Sequence, residues 1–150
     1  MLTFQQEHWP DFVEEIKPLL SLQWGEIALD HDEIPLDPDW ERYADADAKG
    51  QLKTTTVRDG KKLVGWYASI VTPHPHYKST LFAFLDLYYI LPKYRTAING
   101  MRLFVEMEKS MRALGVKEMI SITKMHHNVA PLFERLGWRE TGITFTKVLR

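Results

Sequence analysis

From Thr80 to Leu91 the chain reads Thr-Leu-Phe-Ala-Phe-Leu-Asp-Leu-Tyr-Tyr-Ile-Leu, apolar almost throughout, and Pro92 stops it. A strand carries apolar residues at nearly every position when both of its faces are covered, so this run calls for a sheet covered on either side. It contains Asp86 and is far too short to span a bilayer. The residues that follow supply a covering helix. Ala97, Met101, Phe104, Met107, Met111 and Leu114 fall at three- and four-residue steps, Glu108 and Arg112 form a supporting pair on the other face, and Gly115 is a C-terminal stop.

The elements around this core are legible in the same way. Leu52 to Val57 and Leu63 to Val71 alternate and are rich in Thr, Val and aromatics, with Asp59-Gly60 between them as a hairpin signal. Thr72-Pro73-His74-Pro75-His76 reads as a rigid loop. Upstream, Trp9, Phe12, Val13, Ile16, Leu19 and Leu20 have helical spacing. Pro10 suits a first helical turn, and Pro18 is expected to kink or end the helix. Pro35 and Pro38 break an acidic stretch into a loop, and Asp39 to Ala48 is a short helix ended by Gly50. Downstream, Lys117 to Thr123 reads as a strand and Val129 to Leu136 as a short helix ending at Gly137. Closing strands are expected near Trp138 to Thr141 and Ile143 to Leu149. No repeat or linker divides the chain, so residues 1–150 form one α/β domain with a mixed sheet.

Composition removes several classes of function. With Cys 0, disulfides, thiolate zinc sites, iron–sulfur clusters and a cysteine nucleophile are excluded. Lys plus Arg number 19 against 20 Asp plus Glu, a net charge of -1, which argues against nucleic-acid binding because no excess of cations displaces counterions from phosphates. Met1 to Glu7 has neither a basic start nor an apolar block, so the expectation is a soluble, cytoplasmic protein without a signal peptide.

The stretch from Tyr88 to Leu103 carries the strongest functional signal. A buried strand passes through a tight loop into a long helix, whose first turn offers unpaired N–H groups and a positive dipole end to phosphate oxygens. The segment resembles the acetyl-CoA loop of the GNAT family of N-acetyltransferases: a strand, Pro, an Arg or Gln, then x-x-Gly-x-Gly or Ala entering a helix. Arg95 matches the first position and Gly100 the last. Leu132-Phe133-Glu134-Arg135-Leu136-Gly137-Trp138 is similar to the family's Leu-Tyr-Glu-Lys-Leu-Gly-Phe stretch, and the order of elements from Leu52 to Leu149, about two-thirds of the chain, fits as well. Within the family, the likeness is to the acetyltransferase-like proteins encoded by bacteriophages.

The resemblance implies a GNAT-like fold, a mostly antiparallel central sheet splayed at the acetyl-CoA site with helices on both faces. It implies acetyl-CoA as co-substrate, direct acetyl transfer to the amine of a small molecule or protein, and a cofactor site formed by Tyr89, Ile90, Leu91, Arg95, Thr96, Ala97, Ile98, Asn99, Gly100 and Met101. It implies no membrane partner, and pairing with a second copy as a homodimer stays open. Two positions depart from the pattern. Ile98 stands where the family has its middle Gly, which lets the backbone approach the pyrophosphate. Phe133 stands where a Tyr often protonates the leaving thiolate. These departures support an alternative, a catalytically weak or inactive GNAT-like binding module acting through a protein partner.

Acetyl transfer requires an amine that has lost its proton, a hydrogen-bond donor to the acetyl carbonyl and a thiolate that can leave. By resemblance, that donor is a backbone N–H near Ile90. Asp86 is the candidate base: it is the one charge inside the apolar strand, and strand alternation puts it on the face of Tyr88 and Ile90. Its bland reading is an Asp paired within the fold. His126 and His127 are further catalytic candidates, with helix capping as their alternative. His74, His76, His126 and His127 have no firm zinc-ligand spacing, so no metal is expected. Lys93, Arg95 and Arg102 cluster around the loop, either to meet an anionic cofactor or as a solvated basic loop. Between Glu26 and Asp47 stand nine Asp or Glu with Arg42 the only Lys or Arg, either an approach for a cationic amine or a solvated acidic face.

Overall fold

A computed structural model describes residues 1–150. Its elements in chain order are β1 (Leu2–Glu7), α1 (Trp9–Ile27), α2 (Trp40–Ala48), β2 (Leu52–Asp59), β3 (Lys62–His74), β4 (Tyr77–Ile90), a single 3-10 turn (Pro92–Tyr94), α3 (Ala97–Ala113), β5 (Glu118–Ile120) and α4 (Ala130–Arg135). The five strands lie in the order β1-β2-β3-β4-β5. The first four are antiparallel neighbours, and β4 pairs with β5 in parallel. This is the mixed α/β sheet that the sequence implies.

Strand alternation on β3 divides the core into two layers. Leu63, Trp66 and Ala68 pack with Trp9, Phe12, Ile16 and Leu20 of α1. Val64, Tyr67 and Val71 pack with Leu103, Phe104, Met107 and Met111 of α3. Trp66 and Met107 are both 0% exposed, so the sheet is sealed on either side. Each large side chain buried so completely contributes roughly 1.5–3 kcal/mol. The helices begin where their caps stand: Asp39 Oδ1 accepts from the Arg42 N–H at 2.9 Å, and Thr96 Oγ1 accepts from the Asn99 N–H at 3.2 Å. Gly60 sits at φ +60 in the β2–β3 turn, a conformation that Gly adopts without a steric penalty.

Several sequence expectations are corrected. Leu2–Glu7, to which the sequence assigns no strand, is the edge strand β1, whose register against β2 runs from Leu2↔Asp59 to Glu7↔Thr54. Glu7 is thereby brought to Arg58, which bonds it through Nε at 2.7 Å and Nη2 at 2.9 Å, while Nη1 and Nη2 reach Glu15 of α1 at 3.0 and 2.8 Å. Pro18 lies inside α1 without ending it, because packing of the apolar face on the sheet outweighs the one lost backbone hydrogen bond. Thr72-Pro73-His74 extends β3, and the turn is confined to Pro75 and His76. β5 is three residues long, shorter than the expected strand from Lys117 to Thr123. The two closing strands do not form: residues 138–150 have no regular secondary structure.

Candidate active site

The parallel β4–β5 pairing runs only from Phe82↔Glu118 to Phe84↔Ile120. Beyond it β4 continues six residues to Ile90 without a neighbour on that side, and the strands diverge. Tyr88 Oη donates across the gap to the Ile122 carbonyl at 3.0 Å. A cleft of about 440 Å³ opens at this splay. Its walls are Tyr88, Tyr89 and Ile90 at the end of β4, Arg95 to Ala97 with Gly100 and Met101 at the start of α3, and His127 to Val129 with Pro131, Leu132 and Arg135 on the far side. Ile27 at the end of α1 completes it.

Arg95 is held, not free. Its Nε and Nη2 both donate to the Ile90 carbonyl, at 3.1 and 2.8 Å, and its guanidinium lies 5.3 Å from the centre of the Tyr89 ring. Glu26, in the last turn of α1, forms an ion pair with Arg95, Nη1 to Oε2 at 3.1 Å, and its Oε1 accepts from Arg95 Nη2 at 3.3 Å and from Tyr89 Oη at 3.0 Å. Burial works against the ionised Glu26, but the Arg95 and Tyr89 hydrogen bonds outweigh it and hold the carboxyl below its usual range. The Glu26 backbone carbonyl meets His126 Nε2 at 3.0 Å; a carbonyl only accepts, so Nε2 carries the proton. One turn of α1 thus ties the loop before α3 to the loop before α4. The sequence offers Glu26 only as the first carboxylate of the acidic stretch; its role here was not legible because its partners Tyr89, Arg95 and His126 lie sixty or more residues along the chain.

The helix entry has the shape expected of an anion cradle. Thr96 caps Asn99 and Gly100, through Oγ1 and its carbonyl, which leaves the N–H groups of Ala97 and Ile98 at the open end. The Asn99 side chain is spent on the loop, donating to the Tyr94 carbonyl at 2.8 Å. A Cβ on Gly100 would stand 3.3 Å from Leu132 Cδ2, so Gly lets α3 and α4 approach beside the cleft. Ile98 is 70% exposed and does not line the cleft, so its side chain neither crowds the cradle nor enters the core. Leu91 packs against the core on both sides of the sheet, and its N–H donates to the Val64 carbonyl. Of the three basic residues near the loop only Arg95 lines the cleft; Lys93 lies over Tyr94, and Arg102 covers Phe4 of β1 at 4.3 Å.

Asp86 lies on the face opposite to the expected one. The β3–β4 register passes from Ser69↔Leu85 to Ala68↔Leu87, so Asp86 is the extra residue of a β-bulge. The bulge shifts the alternation and turns Asp86 toward α2, where Tyr43 holds it, whereas Tyr88 and Ile90 pack on the α3 side. Burial pushes its carboxyl above the usual range, and the Tyr43 hydrogen bond partly offsets this. It stands outside the cleft lining, two residues from Tyr88. His127 lines the cleft, and His126 lies beside it on Glu26. Phe133, at the position of the absent Tyr, packs against Phe104 at 5.0 Å and Trp138 at 5.0 Å. His74 at the end of β3 and His76 in the turn meet edge to face with ring centres 5.0 Å apart, and no group of three His, Asp or Glu side chains is placed to hold a metal.

No family model and no curated protein matches the sequence. Solved structures do match its fold over the whole chain. An aminoglycoside acetyltransferase from an uncultured soil metagenomic sample, in complex with sisomicin, superposes with a TM-score of 0.73 at 15% identity, covering 99% of this chain and 97% of that one. A ribosomal-protein-alanine N-acetyltransferase from Brucella melitensis biovar Abortus 2308 gives 0.69 at 14% identity, covering 100% and 99%. The aminoglycoside N-acetyltransferase AAC(6')-Iy in complex with CoA gives 0.71 at 17% identity, covering 99% of each chain. At these identities the likeness is one of architecture, and in architecture this chain has the GNAT acetyltransferase fold.

Proposed function

We propose that the chain is an N-acetyltransferase that moves an acetyl group from acetyl-CoA directly to an amine. The observation that carries this reading is the cleft at the β4–β5 splay, entered by the first turn of α3, on a fold shared with acetyltransferases. The backbone amides of Ala97 and Ile98, with Gly100 beside them, suit pyrophosphate oxygens. The unpaired stretch of β4 ending in Tyr89 and Ile90 suits the acyl end. With no cysteine in the chain, an acyl-cysteine step is excluded.

In this reading the cofactor occupies the α3–α4 side of β4 and the acceptor approaches from the α1–α2 side, where Tyr43 and Asp86 face. Asp86 takes the proton of the amine, helped by a carboxyl that burial has made more basic. His127 contacts the reacting groups from the opposite wall, and His126 holds α1 against it. The acidic residues between α1 and α2, among them Asp30, Asp32 and Asp37, favour a cationic acceptor such as a lysine side chain or polyamine. The phage-encoded subgroup and a cytoplasmic setting belong to this reading on sequence grounds alone.

The test is a thermal-shift series. Acetyl-CoA at about a hundred times its Kd adds roughly 2.7 kcal/mol of stability and raises Tm accordingly. Gly100→Trp, which fills the cleft beside Leu132, removes the shift. An unchanged Tm of the wild-type chain in millimolar acetyl-CoA overturns the reading. Because the chain has no thiol of its own, release of free CoA can be followed directly with a thiol reagent, and acetyl-CoA binding without CoA release to any amine favours the binding module.

A further inference from the structure

Asp86 and Tyr88 stand two residues apart on β4, a spacing that puts both side chains on one face of a regular strand. The extra residue at the bulge puts them on opposite faces instead. Asp86 meets Tyr43 on the α2 side, and Tyr88 packs on Phe104 on the α3 side. On the acetyl-transfer reading, the amine approaches the first face and the thioester lies on the second. Transfer between them calls for a base on one side of the strand and a proton donor to the leaving sulfur on the other.

Tyr88 is the hydroxyl placed for the second task. It lines the cleft at the splay, and three other rings hold its own: Tyr67 is stacked on it with centres 5.7 Å apart, and Phe104 and Phe133 meet it edge-on at 5.3 and 6.2 Å. A ring fixed on three sides presents its hydroxyl at one place. The next hydroxyl along the strand, that of Tyr89, is committed to the Glu26 carboxylate, and Arg95 is committed to the Ile90 carbonyl. Tyr88 Oη is spent only on the Ile122 carbonyl, and Ile122 is 50% exposed, so water can replace that bond. Burial holds the Tyr88 hydroxyl above its ordinary pKa, with the Thr123 hydrogen bond partly offsetting this, so it carries its proton at neutral pH.

We propose that Tyr88 is the proton donor to the leaving group, its hydroxyl turning from the Ile122 carbonyl to the sulfur of CoA. The inference rests on the acetyl-transfer reading and adds a catalytic residue to it. The amine nitrogen bonds to the acetyl carbon while Asp86 takes its proton. The C–S bond breaks, its electron pair goes to sulfur, and the sulfur takes the proton of Tyr88. A phenolate, whose acid has a pKa of about 10, is a stronger base than a thiolate, whose acid has one of about 8.5, so Tyr88 regains a proton from water. Asp86 gives one up to water, and the products are the amide and the CoA thiol.

Turnover of acetyl-CoA with spermidine as the amine, followed as free CoA, tests it. Tyr88→Phe is expected to lower kcat roughly 10²–10⁴-fold, with acetyl-CoA Kd within twofold and Tm retained. A fluorotyrosine in place of Tyr88 restores a hydroxyl on a more acidic phenol. It is expected to recover turnover and to bring an alkaline limb of kcat to lower pH, a shift that a merely structural hydroxyl does not produce. Full kcat in Tyr88→Phe beside an active wild type overturns this proposal and leaves acetyl transfer standing. So does an alkaline limb that the fluorotyrosine fails to move, and so does a loss of kcat matched by an equal loss of acetyl-CoA affinity. A wild-type chain that releases no CoA overturns the proposal together with the transfer reading beneath it.

Discussion

The hydroxyl of Tyr43 donates to both oxygens of Asp86, at 3.0 and 2.9 Å. One proton is shared between two acceptors, and it joins α2 to the bulge of β4 across forty-three residues of chain. Tyr43 is itself fixed by stacking on Trp9, with ring centres 4.7 Å apart. Burial and the neighbouring Asp86 raise the Tyr43 hydroxyl well above its ordinary pKa, so it stays a donor over the whole working range. The pair places one titrating carboxyl in the α1–α2 layer of the core.

Asp86 as base predicts a specific kinetic pattern. Asp86→Asn should lower kcat by roughly 10²–10⁴-fold while leaving the acetyl-CoA Kd within twofold. Tyr43→Phe removes the hydrogen bond that favours the ionised form, so the carboxyl rises further and the acid limb of kcat/KM moves to higher pH. Steady-state rates across pH 5 to 9 read both effects. Full turnover by Asp86→Asn would make the Tyr43 bond a purely structural one.

Glu26 should act on the cofactor loop from outside it. Glu26→Gln weakens the hold on Arg95, whose guanidinium and partner are each about a third exposed, so solvent screening limits the effect to about 1 kcal/mol, or roughly fivefold in acetyl-CoA affinity. Arg95→Lys is expected to cost as much, because an ammonium cannot grip the Ile90 carbonyl with two N–H groups. Calorimetric titration measures both, and unchanged affinity in both variants would remove the clamp from the site.

Ile98→Gly should leave acetyl-CoA affinity within twofold, since the side chain points to solvent outside the cleft. Its cost falls on stability, about 0.5–1 kcal/mol for a Gly in the first turns of a helix. A tenfold gain in affinity would show that the side chain swings into the cradle.

Arg58 governs acid stability. Hydrogen bonds from Arg58 hold the Glu15 carboxyl below its usual range; at Glu7 burial opposes ionisation, but Arg58 and Thr56 outweigh it. A carboxyl whose folded pKa is depressed contributes stability above its unfolded value, about 4.3, and that contribution is lost as pH falls through the folded value. Urea midpoints should therefore decline from pH 5 to pH 3. Arg58→Met leaves Glu7, only 10% exposed at its side chain, without its partner, and should cost about 3–5 kcal/mol at pH 7. A pH-independent midpoint in the wild type would contradict the assignment.

A cationic acceptor predicts a salt dependence. The acceptor KM should rise with ionic strength, and with Asp30→Asn plus Asp32→Asn, while the acetyl-CoA KM stays constant, because attraction across the acidic loop is screened over about 8 Å at physiological salt. A salt-independent acceptor KM would assign those carboxylates to solvation alone.

What the sequence determined by itself is local. The covered strand ending at Pro92, the helix from Ala97, the Asp59-Gly60 turn and the two-layer core follow from periodicity and from residues with restricted φ, because those preferences act over a few neighbours. The entry of α3 was legible for the same reason, since Arg95, Thr96 and Gly100 lie within one loop and turn. The remainder was decided by partners far along the chain. Leu2–Glu7 becomes a strand because β2 offers it an edge, against a sequence too short to signal one. Pro18 stays helical because Phe12, Ile16 and Leu20 are buried against the sheet. One inserted residue in the β3–β4 register turns Asp86 from one layer to the other, and a bulge of that kind leaves no mark on alternation until both strands are paired. The closing strands failed for the converse reason: Ile143 to Leu149 has the pattern of a strand, but a strand forms only where a neighbour supplies hydrogen bonds, and within one chain residues 139–150 have none.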